Sequence, residues 1–457
     1  MSDLGYRFDL TAEEMPTQWY NILADLPYEI PRDISLKNNS EKQKMVMQVP
    51  MELIRQSMGK QRYVDIPDEV LSAYRQWRPS TLVRAVALEK ALDTPARIYY
   101  KYEGNNISGS HKLTTAIAQV YYYKKAGVKR VTTGTGAGQW GSALSVACKM
   151  FGLECLVFMV GISYKQKPYR KILMKMNGAE IYSSPSEITE AGRKFLALNA
   201  DAKGNIALAI AEAIEATTTD NSTRFCIGSG EPYSILHQTL IGLEAKLQMQ
   251  KAGDYPDFVV GCLGAGSNFG GLTFPFLQDR LVGDSKVRCI SVEPASCPKL
   301  TRGEYRYDFT DSSGVTPMEK MYTLGHDYVT PDIHAGGLRY HATSKLVSAI
   351  YHHGDIEAVA YQQREVFKSG VLFSQTEGII PAPESAHAVH GAIELALAAK
   401  ENNEAKVILV GISGHGHFDM SAYESYLAGE LDDVNITDRQ IRDSLDKIPD
   451  VSALLDQ

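Results

Sequence analysis

The sequence predicts an α/β protein of two lobes, built on twisted, mainly parallel sheets flanked by helices. Three observations predict it. The chain has 457 residues, more than one ordinary core sustains. From about residue 97, apolar strand-like runs alternate with helical patterns. Glycine-rich turns stand at strand-to-helix junctions, the places where such sheets bind ligands at the carboxyl ends of their strands.

Taken in order, residues 1–78 carry Pro16, Pro27, Pro31, Pro50 and Pro67, which break any long helix. They read as an N-terminal extension that wraps a core. The strand-like Lys101-Tyr102-Glu103 leads through Gly109-Ser110-His111-Lys112 into a helix with Leu113, Ala116, Ile117, Val120 and Tyr121 on its apolar face, stopped at Gly127. The apolar segment at Val131 precedes a helix over Ser142–Met150, and Gly152 precedes a buried strand over Cys155–Val160. A helix over Lys165–Met176 ends near Gly178, followed by a strand at Glu180–Tyr182. A long helix over Ser234–Lys251, a strand over Phe258–Cys262, a helix after Asn268 and strands over Val287–Val292 and Val407–Val410 complete the alternation.

Composition excludes several functions. A formal charge of −7 gives no electrostatic basis for binding nucleic acid or anionic membranes. No apolar run reaches membrane-spanning length, and MSDLGYRFDL lacks the basic-then-apolar order of a signal peptide. Six cysteines without CxxC spacing read as buried free thiols in a reducing compartment, so a cytoplasmic enzyme is the expectation. The histidines at 334, 341, 352, 353, 415 and 417 match no compact zinc pattern, and no metal is expected.

The chemistry lies in three junctions and one lysine. Lys112 stands where a loop hands over to a helix, a place where burial can depress its pKa and free its amine for Schiff-base chemistry. Gly264-Ala265-Gly266-Ser267-Asn268 follows a buried strand and opens a helix. Small residues let the backbone fold around an anion there, and the first-turn N–H groups and the Ser267 and Asn268 side chains supply donors. Neither a dinucleotide fingerprint nor a Walker lysine is present. Thr135-Gly136-Ala137-Gly138-Gln139 forms a second such cup, suited to a carboxylate. Tight βα connections need glycine on steric grounds alone, so each cup is also explicable as a plain turn. Together with Lys112, they point to pyridoxal 5'-phosphate acting on an amino acid. Ser413, at the end of the last strand, can hydrogen-bond a pyridine nitrogen without protonating it. That makes a weaker electron sink, which favours β-elimination and β-replacement over transamination.

From about Arg78 to Met420 these residues resemble the tryptophan synthase β-chain family in its second, longer type, a fold-type II pyridoxal-phosphate enzyme. Gly109-Ser110-His111-Lys112, Gly136-Ala137-Gly138-Gln139-Trp140-Gly141, the run Ser163 to Arg170, His237-Gln238-Thr239, Gly325-His326-Asp327, the run Ile333 to Tyr340 and the run Thr376 to Glu384 carry the likeness. The resemblance implies a cofactor between the lobes. It implies a smaller, mobile domain over 112–230 and a larger one over 79–111 plus 231–457 that carries the phosphate loop. By the same likeness, Lys112 forms the Schiff base, His111 and Gly264 to Asn268 meet the phosphate, Ser413 the pyridine nitrogen and Thr135 to Gln139 the substrate carboxylate, with Glu377 near the ring. The implied reaction removes the β-substituent of serine or O-phosphoserine to give an aminoacrylate, to which a nucleophile, indole in the family, adds. A homodimer is implied, and an α-type partner subunit is possible.

The chain departs from the family at one telling position. Gly134 stands where the family has the glutamate that works as general base, and glycine offers no proton shuttle and leaves room beside the reacting carbon. Such groups contribute about 10²–10⁴-fold. Glu231 is the candidate substitute. Ala265 in the phosphate cup, Thr114, Gly161 and the run Gly228 to Tyr233 also differ from the family. The expectation is β-replacement with a non-standard nucleophile. Conventional joining of indole and serine, a β-eliminase that releases the deaminated product, and a non-catalytic paralogue are the alternatives.

Overall fold

The computed structural model describes residues 6–36, 49–198, 204–218, 220–228, 230–311, 314 and 316–455. Two sheets organise them. The larger has seven strands in the order Arg7–Phe8, Thr81–Arg84, Arg97–Tyr102, Val407–Ile412, Phe258–Cys262, Arg288–Pro294 and Glu357–Tyr361. Its first two pairings are antiparallel and the remainder parallel. The smaller is wholly parallel, in the order Glu180–Ser184, Glu154–Val160, Arg130–Thr135 and Thr223–Phe225. Every residue of Phe258–Cys262 and of Val407–Ile412 is buried, as expected of central strands covered on both faces. No helix among the described residues is long and apolar enough to cross a membrane.

The described residues among the first 78 give side chains to the common core. Arg7–Phe8 adds an edge strand, Gln18–Tyr20 pairs with Tyr63–Asp65, and Trp19, Tyr20 and Tyr74 are completely buried.

Two expected helices are interrupted. Lys165–Met176 is two helices, Gly161–Gln166 and Pro168–Met176, because Pro168 has no N–H to give and fits only at a helix start. Ser234–Lys251 likewise divides into Pro232–Gln238 and Leu240–Ala252. At the break, the Thr239 hydroxyl donates to the Leu236 carbonyl at 2.6 Å and accepts the Tyr20 N–H at 2.9 Å, competing with the helix ladder.

One helix that the apolar patterning did not disclose matters most for the site. Ile206–Thr218 starts where Asn205 Oδ1 accepts the Leu208 N–H at 2.8 Å. It lies across the smaller sheet, with Ala209 and Ala213 buried against Leu156, Phe158, Val160 and Phe225.

Candidate active site

The strand Arg97–Tyr102 delivers the chain to Lys112, the first residue of the helix Lys112–Lys125. The connecting loop is stitched to the segment after the last strand. The His111 N–H donates to Ser413 O at 2.9 Å and the His415 N–H to Gly109 O at 3.0 Å. Gly109 has φ +74°, and a side chain there would run into the His415 ring, so glycine is required on both counts. Burial lowers the pKa of the Lys112 amine, and the Arg170 charge adds to this, while Glu384 and Cys262 oppose it. Burial, reinforced by Lys112, holds His111 well below the ordinary histidine range and therefore neutral.

The strand Phe258–Cys262 ends in the second element. Gly266, at φ +117°, turns the chain into the helix Ser267–Val282, whose first-turn N–H groups have no intrahelical partners. Ser267 and Asn268 are buried at this end. Ala265 is held by its carbonyl, which accepts from the Ser344 N–H at 2.9 Å and the Thr343 hydroxyl at 3.2 Å.

The third element is the turn between Arg130–Thr135 and the helix Gln139–Phe151. Gly138 has φ +89°, and a side chain there would lie 2.9 Å from Met159 Cε and 3.1 Å from Arg170 Cδ. Gln139 faces the cavity, whereas the Thr135 hydroxyl turns inward to accept the Gly141 N–H at 3.4 Å. A roof, Ala335 to Arg339, bridges this turn and the Gly264 cup. A side chain at Gly336 would stand 2.8 Å from Ala137 Cβ, and one at Gly337 2.7 Å from Gln139 Oε1.

These elements form a cavity lined by His111, Lys112, Gln139, Arg170, Gly264 to Asn268, Glu384 and Ser413, among others. Four of its lining residues carry a buried polar atom with no partner: Ser110 Oγ, His111 Nδ1, Arg170 Nε and Glu384 Oε2. The Ser413 hydroxyl lies 2.7 Å from Ser385 Oγ and 3.5 Å from Cys262 Sγ. Burial pushes the Cys262 thiol up to about 11, so it is protonated. Unspent donors at a helix start, an amine biased to its neutral form and a serine hydroxyl at the end of the adjacent parallel strand fit a phosphorylated aromatic aldehyde. Lys112 would hold its carbonyl carbon, Gly264 to Asn268 its phosphate and Ser413 its ring nitrogen.

Three site expectations are corrected. Glu377 is not beside the cavity: its Oε1 accepts the Leu88 N–H at 2.9 Å, in the first turn of another helix. The carboxylate in the cavity is Glu384, whose Oε1 accepts the Gly337 N–H at 2.7 Å. Position 134 holds no open room. A β-carbon on Gly134 would lie 2.6 Å from Ile210 N, 2.7 Å from Ala209 C and 2.8 Å from Ala209 O, all backbone atoms of the helix Ile206–Thr218. Finally, Glu231 does not reach the cavity lining. It begins the helix Pro232–Gln238, and its carboxyl, raised by burial, interacts with Lys345 and Asp33. Ser229, in the same run, lies outside the described residues. Arg170, Glu384 and the roof glycines were the unread members of the site. The run from Ser163 to Arg170 also carries Lys165 and Lys167, and Lys171 follows, so charge alone does not single out Arg170.

The model for "Pyridoxal-phosphate dependent enzyme" matches residues 74–414. The chain belongs to that family. Within it, the chain is 53% identical to "Tryptophan synthase beta chain 2" of Methanosarcina mazei, covering 93% of this chain and 96% of that protein. It is 52% identical to the protein of the same description from Aquifex aeolicus, covering 93% and 100%. Among solved structures, a cysteine synthase from Entamoeba histolytica superposes with TM-score 0.57 at 18% identity, covering 84% of this chain and 96% of that one. A fungal L-serine ammonia-lyase from Rhizomucor miehei gives 0.58 at 15%, covering 77% and 98%. The chain is thus a fold-type II, tryptophan synthase β-like enzyme that depends on pyridoxal phosphate.

Proposed function

We propose that the enzyme catalyses β-replacement on serine or O-phosphoserine with a nucleophile that needs no base at position 134. The observation that carries this reading is the contact of Gly134 with the backbone of Ile206–Thr218, which leaves neither a carboxylate nor space for one at that position. Held by Lys112, Gly264 to Asn268 and Ser413, pyridoxal phosphate would supply the electron sink that loss of a β-substituent from an amino acid needs. The protein's own groups do the rest. The turn Thr135 to Gln139 holds the carboxylate, its amides standing at the start of a helix. Lys112 Nζ, biased to its neutral form, takes the α-proton and later returns it. The roof Ala335 to Arg339 packs against the Gln139 turn and the Gly264 cup and holds them together.

Indole needs its N–H relieved of a proton as it adds, which the family assigns to the absent glutamate. A thiol is a few per cent ionised at neutral pH and needs no such help. The nucleophile therefore belongs to the class that is already partly anionic, with thiols first. The test incubates holoenzyme with serine, O-phosphoserine or O-acetylserine and a panel of thiols, phenols and indole, reading products by mass. Thiol adducts in excess of tryptophan are expected. Efficient indole-to-tryptophan turnover refutes the reading, and pyruvate and ammonia without any nucleophile would move it to elimination.

A further inference from the structure

Beyond the cofactor machinery, one carboxylate ties the two sheets' surroundings together at the cavity wall, through Arg170. Asp419 follows Ser413 by six residues, at the start of the helix Met420–Leu427. An aspartate there ordinarily accepts a first-turn N–H of its own helix. Asp419 makes no such cap. Its Oδ2 accepts Arg170 Nη2 at 3.0 Å, and its Oδ1 pairs with Lys167. Both cations belong to the segment that follows Glu154–Val160 in the smaller sheet, whereas Asp419 belongs to the segment that follows Val407–Ile412 in the larger. The neighbouring Phe418 ring lies 5.1 Å beneath the Arg170 guanidinium.

The contact is dry. Asp419 and Arg170 are each 2% exposed. Arg170 also lines the cavity beside Lys112 and Gln139, packs its stem under Gly138 and keeps its Nε without a partner. The stretch Ser413 to Asp419 thus spans from the ring-nitrogen serine to the pair, through His415, which also lines the cavity.

We infer that Asp419 is a positioning residue: it clasps the segment Gly161–Met176 to the end of the last strand of the larger sheet and so fixes Arg170 in the cavity wall. Arg170 then lends a fixed cationic edge to the turn that receives the substrate carboxylate. Burial alone opposes an ionised Asp419, but Arg170 and Lys167 hold its carboxyl below the ordinary range, so the clasp is ionic. The carboxylate part of this inference rests on the amino-acid reading above. The clasp itself does not.

The experiment compares holoenzyme of the natural chain with Asp419→Asn, Asp419→Glu and Lys167→Met. Hydrogen exchange of peptides covering 161–176 reads the clasp, and the KM and kcat for L-serine with the best nucleophile read Arg170's placement. Asp419→Asn is expected to exchange about tenfold faster over that segment and to raise KM about tenfold with kcat little changed, within the usual range of coupling between sites. Asp419→Glu restores both in part, because it keeps the charge. Lys167→Met, which leaves the buried Arg170 pair in place, gives the same direction at smaller size and covers the case in which Asp419→Asn does not fold. Unchanged exchange over 161–176 in both Asp419→Asn and Lys167→Met overturns the clasp, and so does an equal loss in Asp419→Glu. If the natural chain fails to turn over serine, the proposed reaction fails and the exchange result alone decides the clasp.

Discussion

Gly134→Ala is the smallest perturbation that separates the two accounts of position 134, open room or filled contact. The added methyl would stand 2.6–2.8 Å from Ile210 N, Ala209 C and Ala209 O. These are helix backbone atoms, so no rotamer change relieves them and the helix must move as a unit. Overpacking a filled interior costs about 1–3 kcal/mol. At ~2 kcal/mol, lifting of the helix from the sheet becomes roughly 30-fold more frequent. Gly134→Glu demands more, since a whole side chain must displace a helix whose Ala209 and Ala213 are fully buried and whose Ile206, Ile210 and Ile214 pack on the same cluster. Burial of each such isoleucine is worth up to about 1.5–3 kcal/mol, so full displacement costs several kcal/mol. The assay is hydrogen exchange of peptides covering 206–218 in holoenzyme, with 258–282 as internal control, because exchange reports the free energy of local opening. The alanine variant should exchange roughly 30-fold faster in the first segment and normally in the second. The glutamate variant should lose protection of the helix and gain no synthesis of tryptophan. Natural-rate exchange in Gly134→Ala, or tryptophan formation by Gly134→Glu with the helix still protected, refutes the reasoning.

Three further outcomes are expected. Glu384 raises the pKa of Lys112 against burial and Arg170, so Glu384→Gln should lower it further and move the acid limb of cofactor uptake by apoenzyme to lower pH; an unmoved limb would show that the carboxylate's charge does not reach the amine. Glu231→Gln should leave turnover unchanged because Glu231 stands outside the cavity lining, whereas a loss near ~10²-fold would return it to the acid–base role. His326 has Nδ1 2.6 Å from Asp308 Oδ1; burial lowers its pKa, but Asp308 more than offsets this, so the folded value is raised. Its stabilisation is present below the ordinary 6.5 and is lost as pH rises through the folded value. His326→Gln should therefore flatten the natural chain's decline in melting temperature across that window, and a parallel decline in the variant would exclude the pair as its source.

The sequence disclosed what backbone rules dictate. The helix-entry position of Lys112 and the glycine turns at 136–138 and 264–266 are local features, because positive φ and close backbone approach leave glycine as the choice. Phe258–Cys262 was legible to its end residues because five consecutive buried positions write an apolar run. What escaped was set by tertiary placement. Glu377 and Glu384 flank one short turn, and only the direction of the helix Pro383–Glu401 decides which carboxylate meets the cavity. A glycine at 134 implies a vacancy only locally, and the helix that fills it comes from more than seventy residues downstream. Ile206–Thr218 is alanine- and isoleucine-rich on most faces, so no amphipathic stripe announces where it docks. Arg170 is a charge in a helix until Asp419, 249 residues away, gives it a reason to be buried.

The fit between Gly134 and Ile206–Thr218 also bears on descent. The two sites hold each other in place: glycine is needed while the helix sits there, and the helix can sit there only while glycine remains. A one-step change to glutamate would add a carboxylate and displace a folded helix together. Any route to a larger residue at 134 is therefore ordered, with change at 206–213 preceding change at 134. Until that first change occurs, position 134 is closed to any larger side chain, whatever advantage that side chain would bring to the site.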